Sequence, residues 1–174
     1  LLRFAKYYAM TRHMYFYKKG GIQLYSGLPY THHLAAVEQV MLRYYPKSTD
    51  EMRAACWLHD SVEDTFTKVK DIQENFGRAV ADLVWAVTNE EGPNRKARAA
   101  ATYPKIRCSP GAVRLKLADR IANVEHGGDM VDAYKKEYED FKRSLYMAGE
   151  YEEMWARLDD LLIPKPALVE ETVA

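Results

Sequence analysis

Apolar residues recur at three- and four-residue intervals along almost the whole chain, and glycine or proline breaks the recurrence about once per helix length. Such spacing places side chains on one face of an α-helix and leaves no run of strand-like alternation. Phe4, Tyr7, Tyr8 and Met10 predict a first amphipathic helix running towards Lys18, stopped by Gly20-Gly21. The stretch on to Pro29 reads as a loop. Leu34, Val37, Met41 and Tyr44 form the stripe of a second helix from Thr31 to Tyr45. Ser48, Thr49 and Asp50 all favour the N-cap position, and they open a third helix through Leu58. Further helices are expected from Lys68 to Phe76, closed by Gly77, and through Val80, Leu83, Val84 and Val87. A basic segment from Asn94 to Ala101 resumes the pattern. Pro110 stands where a first helical turn accepts proline, ahead of Val113, Leu117, Ile121 and Val124. Gly127-Gly128 end that helix, and two more follow, from Met130 to Tyr146 and from Tyr151 to Leu162. There is no internal repeat and no low-complexity tract. The expectation is an all-α, single-domain helical bundle over residues 1–163, followed by a polar C-terminal tail, 164–174.

Charge narrows the partners. Lysine plus arginine equals aspartate plus glutamate, 25 of each, so a surface built to coat a nucleic acid polymer or an anionic membrane is not expected. Small phosphorylated ligands remain within reach of local basic clusters. The two cysteines, Cys56 and Cys108, are far apart and outside any C-x-x-C spacing. A disulfide framework is therefore not expected, and a reducing cytoplasm is. No stretch approaches the roughly 18 apolar residues that would span a bilayer. Leu1-Leu2-Arg3-Phe4-Ala5 lacks the long apolar core of a signal peptide.

Metal chemistry is the main functional signal. His59 and Asp60 are adjacent at the end of an apolar helix, where an imidazole and a carboxylate offer nitrogen and oxygen ligands to one divalent ion. His32 and His33 begin the preceding helix, and either is a further nitrogen donor. Asp119 lies in the otherwise apolar run from Val113 to Val124. A carboxylate there is costly to bury unless a metal pairs with it, or unless Lys116 or Arg120 does. Glu63 and Asp64 follow, one helical turn beyond His59 and Asp60. Two extra carboxylates beside an ion suit the orientation and deprotonation of a water molecule; the bland alternative is a solvated acidic turn.

Three segments together resemble the hydrolase domain of the RelA/SpoT family, an HD-type phosphohydrolase, and in size its stand-alone small alarmone hydrolases. They are Tyr30-Thr31-His32-His33, Leu58-His59-Asp60-Ser61-Val62-Glu63-Asp64-Thr65, and Lys116-Leu117-Ala118-Asp119-Arg120-Ile121-Ala122-Asn123. Glu74-Asn75-Phe76-Gly77 and Val87-Thr88 fit the same pattern, and the resemblance extends from about Ala5 to Phe141. It implies an HD fold holding one divalent ion, usually manganese. It also implies hydrolysis of the 3′-pyrophosphate of guanosine tetra- and pentaphosphate, giving GDP or GTP and pyrophosphate, by a hydrolase acting alone. Carried over by residue, the ligands are His33, His59, Asp60 and Asp119. Tyr30, three residues before His33, selects it over His32.

In the same way Glu63 and Asp64 become the catalytic acidic pair, and Asn123 a residue that holds substrate or supports the ligands. Lys18, Lys19, Arg95 and Lys96 are candidate phosphate partners, and Tyr138, which matches a family tyrosine, is the wall for the base, with Tyr134, one turn earlier, as second choice. The neutral alternatives are solvated helix-end cations and core tyrosines. Three departures bear on the pocket rather than on the metal. Tyr17-Lys18 stands where the family generally has arginine, the segment between His13 and His33 is a few residues longer, and Leu34 replaces a proline. An adenosine analogue or another nucleotide phosphate is therefore the alternative substrate, and a non-catalytic nucleotide sensor the alternative class.

Overall fold

The computed structural model describes residues 1–127 and 130–164. The tail read from the sequence at 164–174 and the helix stop at Gly128 therefore fall almost wholly outside the described residues. Helix α8 (Ala112–His126) runs through the middle. Eleven consecutive or near-consecutive positions from Ala112 to Val124 are buried, including the polar Asp119, Arg120 and Asn123. Helices α2 (Thr31–Tyr44), α3 (Asp50–Leu58), α6 (Arg78–Val87), α7 (Arg95–Cys108), α9 (Val131–Leu145) and α10 (Glu152–Leu162) all pack on it. Helix α1 (Leu2–Tyr15) lies against α2 and α3, and α5 (Val69–Phe76) against α6. The core is what the stripes require: Leu34, Val37, Met41, Leu58, Val84, Leu117, Ile121, Phe141 and Trp155 are all excluded from solvent. Each such side chain contributes roughly 1.5–3 kcal/mol relative to exposure.

Local chemistry sets the helix ends. Thr49 accepts from the Met52 N–H at 3.3 Å and starts α3, and Asn94 accepts from the Ala97 N–H at 2.9 Å and starts α7. Gly77, at φ 87°, separates α5 from α6 in a conformation that disfavours a Cβ. One buried carboxylate, Glu38 on α2, ties three helices. It accepts from Lys6 on α1 at 2.6 Å and from Trp57 and Arg53 on α3 at 2.7 and 3.0 Å.

The structure departs from the sequence expectations at four places. The first helix stops at Tyr15, because the chain turns away to pair Tyr17 with Thr65 and to donate the Lys18 N–H to the Asp64 carbonyl at 2.9 Å. The stretch read as loop contains a hairpin, β1 (Leu24–Tyr25) and β2 (Leu28–Pro29), antiparallel with Leu24 opposite Pro29. Its two-residue turn, Ser26-Gly27, has φ 49° and 80°, the positive values that tight hairpins use. Helix α7 continues past Ala101 and carries Pro104 internally, held by buried Thr102, Tyr103 and Ile106. Finally, Pro110 precedes α8 rather than opening it. Gly111 caps that helix at φ 80°, where an added Cβ would lie 2.8 Å from the Met52 Cε.

Candidate metal centre and cavity

Four side chains meet where α2, the α3–α4 junction and α8 converge. His33 is in the first turn of α2. His59 and Asp60 link α3 to the single turn α4 (Ser61–Asp64), and Asp119 is at mid-length of α8. The Nε2 atoms of His33 and His59 are 3.4 Å apart. Asp60 Oδ2 lies 2.9 Å from His59 Nε2 and 3.6 Å from His33 Nε2. Asp119 Oδ1 lies 3.4 and 3.5 Å from the same two nitrogens. His33, His59 and Asp60 present ligand atoms all within 4.8 Å of one another. Of the two adjacent histidines, His33 is 2% exposed and reaches the cluster, while His32 lines a different, outer depression.

Neighbouring groups fix these side chains. His59 Nδ1 donates to the Cys56 carbonyl at 2.9 Å, which leaves Nε2 as the lone-pair nitrogen facing inward. Tyr30 donates its hydroxyl to Asp60 Oδ2. Asp119 accepts from Lys116 on Oδ2 at 2.8 Å and from Asn123 on Oδ1 at 2.6 Å. Asn123 is itself held by the Tyr25 hydroxyl, which donates to Oδ1 at 2.8 Å from the hairpin. The Tyr25 ring also covers His33 at 4.9 Å between centroids.

The four groups stabilise one another's charged forms. Burial alone would raise Asp60 and Asp119, but His59 and His33 outweigh it for Asp60, and Lys116 with the same histidines does so for Asp119. Both carboxyls sit well below the usual range. Burial opposes protonation of His33 and His59, yet the two carboxylates raise both. Two imidazole nitrogens facing each other between two ionised carboxylates form a nitrogen and oxygen donor set that suits a borderline divalent ion. The residues therefore fit such a group.

A cavity of about 250 Å³ opens beside the cluster. Asp60, Glu63, Asp64 and Asp119 line its acidic end; Arg95, Arg98, Lys116 and Arg120 bring positive charge, and Tyr25, Tyr103 and Tyr134 supply aromatic wall. Glu63 accepts from both the backbone and side-chain N–H groups of Asn89, at 2.7 and 2.9 Å. Asp64 is pushed up to about 6, first by burial and then by the Asp60 charge, with Gln23 opposing. Arg95 and Arg120 share Glu137 and flank the Tyr134 ring.

Of the binding residues read from the sequence, Arg95, Asn123 and Tyr134 line this cavity, and Lys18, Lys19, Lys96 and Tyr138 do not. Lys18 Nζ donates to the carbonyls of Val62 and Glu63, both at 2.8 Å, so it caps α4. Lys96 pairs with Asp140 at 3.1 Å on the outer face of α9, and Tyr138 donates to Asp159 at 2.6 Å towards α10. The sequence reading missed Gln23, Tyr25, Asn89, Arg98 and Glu137. It treated Lys116 and Arg120 only as ion-pair partners for Asp119. A basic residue one turn after Arg95 was a usable signal for Arg98; nothing local marked Gln23 or Tyr25.

A helical bundle that gathers a histidine from one helix, a His-Asp step from the next and an aspartate from a later one defines the HD class. The HD domain family model matches residues 9–148, and the chain belongs to that family. Its relatives include the guanosine-3′,5′-bis(diphosphate) 3′-pyrophosphohydrolases MESH1 of Danio rerio and Homo sapiens, each 31% identical over 99 residues, 56% of this chain and 55% of theirs. The enzyme of that activity from Aquifex aeolicus is 40% identical over 75 residues, 41% of this chain and 11% of its own. The chain thus spans about half the length of the MESH1 relatives it matches. A solved structure described as a metazoan ortholog of SpoT that hydrolyzes ppGpp superposes with a TM-score of 0.73 at 21% identity, covering 92% of each chain, a likeness of fold. The lmo0812 structure from Listeria monocytogenes gives 0.63 at 24% identity, covering 80% of this chain and 99% of its own. Among the described residues no helix is long and apolar enough to cross a membrane.

Proposed function

We propose that this domain, residues 1–163, hydrolyses the 3′-pyrophosphate of guanosine tetra- or pentaphosphate, releasing pyrophosphate and GDP or GTP. The observation that carries the reading is the junction of the His33, His59, Asp60 and Asp119 cluster with Glu63 and Asp64 at the acidic end of a cavity also lined by arginines and tyrosines. The names of the matching relatives support the same reaction. Manganese is the proposed ion, held by those four ligands, and the reducing cytoplasm the proposed compartment, in keeping with two free thiols.

When bound, a divalent ion supplies Lewis-acid polarisation of the phosphoryl group and eases deprotonation of water. The chain supplies the rest. Asp64, whose pKa is raised into the range useful to a general base, accepts the proton of the attacking water. Glu63, clamped by Asn89, orients that water from the other side. Arg95 and Arg98 neutralise the charge gathering on phosphate oxygens, and Tyr134 offers its face to the base. Asn123, already bonded at both ends of its amide, holds Asp119 in place.

A second reading keeps the site and changes the substrate to another nucleotide phosphate. What favours it is the Lys18 side chain, which is spent on α4 carbonyls and does not line the cavity. Incubation with manganese and guanosine tetraphosphate, with products resolved by chromatography, separates the readings. GDP with pyrophosphate supports the first. An intact alarmone with orthophosphate released from other nucleotides supports the second, and tight nucleotide binding without turnover points to a sensor.

A further inference from the structure

Asp64 is held from one side. Its Oδ2 accepts from Gln23 Nε2 at 2.6 Å, and its Oδ1 takes no hydrogen bond among the described residues. Gln23 Oε1 lies 2.6 Å from His13 Nδ1. The two neighbours settle which way this amide faces. An ionised carboxylate only accepts, so the NH₂ must point at Asp64, and the oxygen must then accept from a protonated His13 Nδ1. His13 is 1% exposed and stacks on Tyr30 at 4.7 Å between centroids. Its Nε2 is buried without a hydrogen-bond partner among the described residues, as expected of a neutral ring that carries its proton on Nδ1.

The backbone of Gln23 is equally committed. Its N–H donates to the His13 carbonyl at 3.1 Å, and its carbonyl accepts from the Tyr30 N–H at 3.0 Å. With both main-chain groups and both side-chain ends engaged, and only 6% of the residue exposed, Gln23 has one geometry available. It sits just before the hairpin. A donor that is locked before substrate arrives costs no reorganisation during reaction.

We propose that Gln23, backed by His13, is the positioning residue of Asp64. It pins Oδ2 and leaves Oδ1 as the oxygen that takes the proton. This rests on the catalytic reading of Asp64, and its role is in turnover rather than in holding metal or substrate.

The test compares wild type, D64N, Q23A, Q23E and the Q23A/D64N double variant with guanosine tetraphosphate and manganese. The expected result for Q23A is a kcat lower by about 10–100-fold, the range typical when an orienting partner is lost. KM and manganese affinity should stay within about twofold of wild type. Q23E keeps the size of the side chain and guards against a Q23A that fails to fold; its carboxyl would share a proton with Asp64 and keep the base from ionising, so it should lose kcat similarly. In the D64N background, Q23A should add no further loss. If D64N itself keeps full turnover, the catalytic role of Asp64 falls and this inference with it. If D64N is inactive while Q23A and Q23E keep wild-type kcat, or lose activity only through KM or metal affinity, the positioning role alone is overturned.

Discussion

Replacing Glu38 tests whether the α1–α2–α3 corner is held by a charge or merely by shape. The carboxylate is 5% exposed and meets four donor groups: Lys6 Nζ at 2.6 Å, Trp57 Nε1 at 2.7 Å, and Arg53 Nε and Nη2 at 3.0 and 2.9 Å. Hydrogen bonds to an ionised group are worth a net of about 1.5–3 kcal/mol. The Lys6 and Arg53 side chains are 35% and 29% exposed, so both recover water when the acceptor goes, and Trp57 Nε1 is the donor stranded in the interior. Glu38→Gln keeps the shape and one acceptor, and should cost about 2 kcal/mol; Glu38→Ala should cost about 3–4 kcal/mol. For a chain of this length 2 kcal/mol corresponds to a fall in Tm of about 4–8 °C. The pH dependence has a definite sign. Burial pushes Glu38 up, but Lys6, Trp57 and Arg53 outweigh it and hold the carboxyl below its ordinary value. Its contribution is therefore complete above that ordinary value, near 4.3, and is lost as pH falls through the lower folded one. Urea unfolding followed by far-UV circular dichroism, from pH 7 downward, should show the gap between wild type and Glu38→Gln narrowing in acid. A variant within about 0.5 kcal/mol of wild type at pH 7, or a gap that widens on acidification, would refute the argument.

Three other outcomes are expected. With saturating metal, kcat should fall as pH drops below a midpoint no higher than about 6, because Asp64, as the proposed base, acts ionised and a nearby cation only lowers its value; an acid limb centred above pH 7 in a stopped assay would contradict this. Arg120, stacked 4.5 Å from the Tyr134 ring centroid and 4.4 Å from that of Phe141, should cost about 3 kcal/mol in denaturant melts when changed to Ala. Lysine should not restore it, having no planar group to fill the slot. Thiol titration should find one reactive cysteine in the native protein and two in urea, since Cys108 is exposed while Cys56 is buried and its thiol is raised by that burial.

The bundle was legible because its stripes are long: α2, α8 and α9 each repeat their apolar spacing over several turns, and periodicity needs that length to rise above chance. The hairpin was not, because strands of two residues contain no alternation to detect. Pro104 was hidden for a different reason, in that burial of Tyr103 and Ile106 overrides the local preference against proline in a helix. At the site, Asp119 announced itself through the cost of placing a carboxylate in an apolar run, and His59-Asp60 through adjacency at a helix end. Lys18 and Tyr138 were not separable from real cavity residues by sequence. Lys18 turns back onto main-chain carbonyls of α4, and Tyr138, one turn after Tyr134, points its hydroxyl at α10 instead. Which way a long side chain turns depends on neighbours that are remote in the chain.

The acceptor that orients His59 is the main-chain carbonyl of Cys56. Every amino acid brings that same oxygen, so substitution at position 56 leaves the imidazole's alignment in place as long as the helix survives. Asp64 is held instead by a side chain, so a substitution at position 23 removes the hydrogen bond to its Oδ2. The two ends of the pocket thus differ in how a substitution reaches them, through the helix backbone at His59 and through one side chain at Asp64.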